Sequence, residues 1–225
     1  MMVQAMSGRP LIGVAIITLM AASCDATPEV AGENQPAPSR GTGAELVFND
    51  FETIDPSWNA GKFENGVVRI ADGEMFIRNF TVSQASVTAI YDAEFDDAII
   101  DVDVRLAEGT ADNWQTVECR IDGNYYYDLG ISADGYYIID VWIDGVQHEK
   151  SLGPTPSPYI VTGAAAVNSL HVECIGNRLS LSVNGNLLAE LEDNAILSGG
   201  VGLSVNALAE TFSEAAFDNF RVAAP

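Results

Sequence analysis

The chain has 225 residues, which leaves room for one or two domains, and 48% of them are apolar, so it is not disordered as a whole. Lys and Arg total 10 against 32 Asp and Glu, a formal charge of -22. That balance excludes nucleic acid and an anionic membrane surface as partners, because both require clustered cations.

The chain opens with an address. Leu11 to Ala22 (LIGVAIITLMAA) follows Arg9 without a charge. A bilayer-spanning helix needs about 20 apolar residues, so this shorter run reads as the hydrophobic region of a signal peptide. It ends Ala21-Ala22-Ser23-Cys24, which resembles a bacterial lipobox, where small residues precede a Cys that is acylated and becomes the mature N-terminus. Ala21 stands where the motif usually has Leu. The alternative is ordinary secretory cleavage nearby with Cys24 incidental. The count of 3 Cys favours acylation, since assigning Cys24 to a lipid leaves one pair. The expected organisation is a lipoprotein signal peptide over 1–23, a Pro- and Gly-rich tether over 24–44, and one folded domain over 45–225. The protein is then exported and held to a bacterial membrane only through its N-terminal lipid.

From Glu45 onward the pattern is that of strands. Ile100, Val102, Val104 and Leu106 alternate with Asp101, Asp103 and Arg105. The same period of two runs through Val117–Ile121, Tyr125–Ile131, Leu170–Cys174 and Leu179–Val183. Asp122-Gly123, Asp134-Gly135, Asp144-Gly145, Gly176-Asn177, Asn184-Gly185 and Gly199-Gly200 separate the runs as turn signals. No segment sustains a helical period. Short strands joined by hairpins predict an all-β fold, an antiparallel two-sheet jelly-roll sandwich. The Pro-rich stretch Glu149–Asn168 reads as an irregular crossover between sheets.

Four segments carry a resemblance over about 175 residues: Phe48-Asn-Asp50-Phe51, Asn124-Tyr-Tyr126 with Ser132-Ala-Asp134-Gly-Tyr-Tyr137, Arg178-Leu-Ser-Leu-Ser-Val-Asn184-Gly185, and Ala216-Phe-Asp218-Asn-Phe-Arg-Val222. The domain resembles the concanavalin A-like, laminin G-like jelly rolls of bacterial secreted proteins, and is similar to the 3-keto-disaccharide hydrolase-like group. The resemblance implies the fold. Relatives include lectins, carbohydrate-binding modules, glycosidases and adhesion domains, so it does not choose a function.

The candidate chemistry is as follows. Cys119 and Cys174 both fall on the apolar phase of their strands, and in an exported protein they are expected to form a disulfide. His148 and His171 read as surface histidines, with no nucleophile motif beside them. Laminarinase-type enzymes carry Glu-x-Asp-x-(x)-Glu on one strand. Glu94-Phe-Asp96-Asp97 begins that way and lacks the second Glu, and Asp101-Val-Asp103 has no Glu at all.

If the two hairpin loops after Ile121 and Ser132 hold three residues each, Arg120, Tyr126 and Trp142 align in one row, and Glu118, Asp128 and Asp140 in the next. Tyr136 and Ile138 extend that face. An aromatic ring on a polar sheet suits the C–H face of a sugar, with Arg and carboxylates for its hydroxyls. The competing reading has the Glu149–Asn168 crossover covering the face, so that Trp142 is core. Calcium is a further candidate: the terminal strands could supply Asp50 and Asp218, although no Asp-x-Asp-x-Asp-Gly loop is present. The expected function is a tethered extracytoplasmic module that binds a glycan or another cell-surface ligand without catalysis. The alternatives are a glycoside hydrolase of laminarinase or keto-disaccharide type, and a purely structural adhesion module.

Overall fold

The computed structural model describes residues 43–80, 86–208 and 212–225. The signal peptide, Cys24 and nearly all of the tether lie outside these residues.

The described residues form an all-β sandwich of two antiparallel sheets. In chain order the strands are β1 (Glu45–Asn49), β2 (Gly61–Lys62), β3 (Gly66–Ala71), β4 (Glu74–Asn79), β5 (Ser86–Phe95), β6 (Ala98–Glu108), β7 (Trp114–Asp122) and β8 (Tyr125–Ser132). There follow β9 (Tyr136–Ile143), β10 (Val146–Gln147), β11 (Leu152–Pro156), β12 (Asn168–Ile175), β13 (Arg178–Val183), β14 (Asn186–Glu192), β15 (Gly199–Asn206) and β16 (Ser213–Ala223). One sheet has nine strands in the order β14-β13-β12-β6-β16-β4-β3-β2, with β1 also paired to β16. The other has seven, in the order β10-β9-β8-β7-β15-β5, with β11 on β9.

The alternation read from the sequence becomes the inner face of each sheet. Ile100, Val102 and Val104 of β6 and Leu170, Val172 and Cys174 of β12 meet Val117, Cys119, Tyr127, Leu129 and Val141 of the opposite sheet, all buried. Cys119 on β7 is bonded to Cys174 on β12, with Cα atoms 6.8 Å apart. The bridge therefore joins the two sheets through the core. The turn residues do what their identities allow: Asp144 and Gly145 (φ 53° and 73°), and likewise Asn184 and Gly185 (51° and 78°), take the paired left-handed conformations of tight hairpins.

The Glu149–Asn168 stretch is more regular than its composition suggests. It does cross from one sheet to the other, but on the way β11 pairs with β9, with Leu152 opposite Ile139 and Thr155 opposite Tyr137. A Pro-containing strand is tolerated there because β11 lies at a sheet edge.

Candidate functional site

The site-bearing face is the one that β7, β8 and β9 turn away from the core. Trp142 pairs with Tyr126, Asp140 with Asp128, and Asp128 with Glu118. Two expected rows thus exist in the expected register, one aromatic and one of three carboxyls.

Arg120 does not join them. The register slips between Cys119 and Asp122, so Arg120 and Ile121 together oppose Tyr126. A bulge of this kind breaks the period of two and re-aims a side chain. Arg120 adopts φ 54° and is only 2% exposed. Its guanidinium donates to the backbone carbonyls of Ile196 (2.9 Å), Asp96 (3.1 Å) and Cys174 (3.3 Å) and to Asp97 Oδ1 (3.2 Å). It is a clamp at the disulfide end of the sandwich. The assumption of a three-residue loop after Ile121 is what misplaced it.

The aromatic row is a stacked pair. Tyr126 and Trp142 have ring centroids 5.8 Å apart at 17°, and both are half-buried. Trp142 is neither free on the surface nor sealed in the core. β10 and β11 extend the sheet alongside β9 instead of lying across it, and Gln147 with Gly153-Pro154 forms a wall beside the indole. Tyr136 keeps the phase of this face, but it stands exposed at the hairpin end and does not line the cavity beside Trp142.

The carboxyl row is buried: Glu118 is 3% exposed, Asp128 5% and Asp140 9%. Thr88 Oγ1 donates to Glu118 Oε1 (3.0 Å), and Gln147 Nε2 donates to Asp140 Oδ1 (2.8 Å). Burial pushes the Glu118 carboxyl up to about 7. It pushes Asp128 well above the usual range too, with the charges of Glu118 and Asp140 adding to the effect. Asp140 is raised by burial, against the pull of Gln147. Raised pKa values lessen the mutual repulsion within the row, because a protonated carboxyl carries no charge.

Beside Trp142 lies a cavity of about 240 Å³, lined among others by Trp114, Ile138, Asp140, Trp142 and Asn206. Two of these residues carry buried polar atoms with no hydrogen-bond partner among the described residues, the donor Trp142 Nε1 and the acceptor Asn206 Oδ1. Asp128 Oδ1, on the neighbouring strand, has no hydrogen-bond partner among the described residues either. Buried polar groups are otherwise nearly always paired. Asn206 escaped the sequence reading because it ends β15, distant in the chain, and its only signal is a polar residue closing an apolar run.

Asp50 and Asp218 approach closely enough for the charge of Asp50 to help raise the Asp218 carboxyl, after burial, Asp103 and Glu74. Among the described residues no group of three or more His, Cys, Asp or Glu side chains is placed to hold a metal ion.

Neither a protein-family model nor a curated protein matches the sequence. Solved structures do match the fold. A carbohydrate binding module (CBM66) from Bacillus subtilis superposes with a TM-score of 0.61 at 16% identity, over 75% of this chain and 96% of that one. A Bacillus licheniformis beta-glucanase gives 0.58 at 13%, over 82% and 100%. A GlcNAcα1-4Gal-releasing endo-β-galactosidase from Clostridium perfringens gives 0.61 at 10%, over 84% and 65%. At these identities the likeness is one of fold: the chain has a jelly-roll sandwich similar to those of carbohydrate-binding and glycan-cleaving proteins.

Proposed function

We propose that the chain is a glycan-binding module, exported and lipid-anchored through Cys24, whose ligand enters the cavity beside Trp142. The observation that carries this reading is one cavity lined by both Trp142 and Asn206, whose buried Nε1 donor and Oδ1 acceptor have no hydrogen-bond partner among the described residues. A sugar hydroxyl both donates and accepts, so it answers both atoms. Asp140 at the same wall offers carboxyl oxygens, and the Tyr126–Trp142 stack supplies an apolar flank. Sugar-binding and sugar-cleaving proteins on the same fold support the ligand class.

A hydrolase is the second reading, and one observation favours it. Glu118 and Asp128 are direct cross-strand partners with raised pKa values. Facing residues on one side of a sheet hold their Cβ atoms about 4.5–5.5 Å apart, compatible with a retaining pair. Against it stands their burial, since a catalytic pair must reach both sides of a scissile bond and these two carboxyls are almost fully covered.

A glycan array probed with the full chain, with Trp142→Ala beside it, tests the proposal. Binding to a defined glycan class that Trp142→Ala removes is the expected result. Release of new reducing ends from a bound glycan, abolished by Glu118→Gln, would replace it with the hydrolase.

A further inference from the structure

The opposite face of the sandwich carries a cavity of about 570 Å³, built on the outer side of β6, β12, β13 and β14. Its origin lies in side-chain length. The outward positions of β12 and β13 include Ser169, Ser180 and Ser182, set among Glu173, Arg178 and Glu190. Short hydroxyls lower the surface, and the longer chains wall it.

Its polar groups are already fixed. His171 Nδ1 lies 2.6 Å from Asp101 Oδ1, and Asp101 Oδ2 accepts from Arg221 at 3.0 Å. Glu173 accepts from Arg178 (2.6 Å) and Ser180 (3.3 Å), and Arg178 also donates to Glu190 (3.0 Å). Asp103 accepts from Ser169 and from Asn219 (2.9 Å). Groups held this way need little ordering when a ligand arrives.

The charge on these walls is one-sided. Asp101, Asp103, Glu173 and Glu190 line the groove against Arg178 and His171, and both of these already face carboxylates. The groove therefore offers acceptors and excess negative charge, in a chain whose formal charge is -22. Leu187, 56% exposed, adds an apolar rim.

We propose that this groove is a second ligand site, separate from the cavity at Trp142, and that it takes a saccharide bearing a protonated amine. Hydroxyls and the ammonium donate to the lone pairs these carboxylates have left, and the net negative walls select the amine over its acetylated form. An acidic sugar is repelled.

The test is a ¹H–¹⁵N NMR titration of the full chain with the glucosamine disaccharide and with its N,N′-diacetylated counterpart, in about 150 mM salt to screen diffuse attraction. The expected result is a set of shifts centred on His171, Ser180, Ser182 and Leu187, with the acetylated sugar at least about tenfold weaker. Ser182→Tyr fills the groove without changing its charge and should abolish the shifts. Glu190→Gln, at the exposed rim, should weaken binding several-fold without touching the core. Trp142→Ala should leave the titration unchanged, which separates this site from the first. Equal binding of the two sugars, shifts scattered over the acidic surface, no shifts, or loss through Trp142→Ala with retention in Glu190→Gln would each overturn the proposal.

Discussion

Glu118 of β7 and Asp128 of β8 stand directly opposite one another in the ladder, and both are buried. Like charges so placed repel, and burial disfavours either charge, so the pair retains protons to unusually high pH. The consequence for stability has a definite sign. A carboxyl whose folded pKa is raised to about 7 stays protonated while the unfolded chain has already lost its proton above about 4.5. Stability therefore falls as pH rises through that window. His171, raised chiefly by its hydrogen bond to Asp101, adds a loss of the same sign toward its own elevated pKa. Melting curves at pH 5 and pH 8 should show the chain more stable at pH 5. Glu118→Gln should reduce the slope, leaving the part due to Asp128, Asp140 and His171, and gain on the order of 2–3 kcal/mol at pH 8. A flat profile, or a loss of stability in the Gln variant at pH 8, would contradict the paired burial.

Arg120 should matter to folding and not to ligand. Truncating it to Ala orphans two buried carbonyls, of Ile196 and Cys174, and the part-buried one of Asp96, and should cost about 3–5 kcal/mol in denaturant unfolding, with glycan affinity unchanged in the folded fraction. Because the residue sits at φ 54°, Arg120→Gly should be less destabilising than Arg120→Ala by about 1 kcal/mol.

Trp142→Ala is the decisive change at the proposed glycan site. Affinity should drop about ten- to two-hundredfold by calorimetry, with about 1–2 kcal/mol lost from stability, since the ring is half-buried and stacked on Tyr126. A stability loss of about 3–5 kcal/mol would mark it as a core aromatic instead.

The inter-sheet bridge closes a separation of 55 residues. Replacing both Cys119 and Cys174 with Ala should cost about 2–4 kcal/mol in chemical denaturation. An unchanged midpoint would show that sheet packing alone sets the stability.

Cys24 is expected to carry lipid as the mature N-terminus. Mass spectrometry of the protein recovered from bacterial cells that express it checks this, and an unmodified N-terminus at another residue excludes it.

The strands, the sandwich and the disulfide were legible because they follow from a period of two: once Cys119 and Cys174 share the apolar phase, both must point into one core. Register across β7, β8 and β9 was legible for the same reason, down to Tyr126 opposite Trp142. What escaped was whatever breaks the period. The bulge at Arg120 adds a residue that no local signal announces. β11 hides behind Pro154 and Pro156, which sequence reading assigns to a loop. The serine-floored groove was invisible because depth depends on neighbours from four strands, and His171 alone looks like any outward residue of β12.

The position of β16 has a consequence for how this chain can be made. The last strand is not an end of the nine-stranded sheet: it lies between β6 on one side and β4 and β1 on the other. A chain emerging N-terminus first thus holds two half-sheets with no seam until Ser213–Ala223 is free. Completion waits on a pairing between the first and last described strands, Glu45 with Ala223, which slows folding and leaves earlier strands open meanwhile. Shortening the C-terminus by a dozen residues would take out the middle of the sheet, while an extension beyond Pro225 leaves the seam intact.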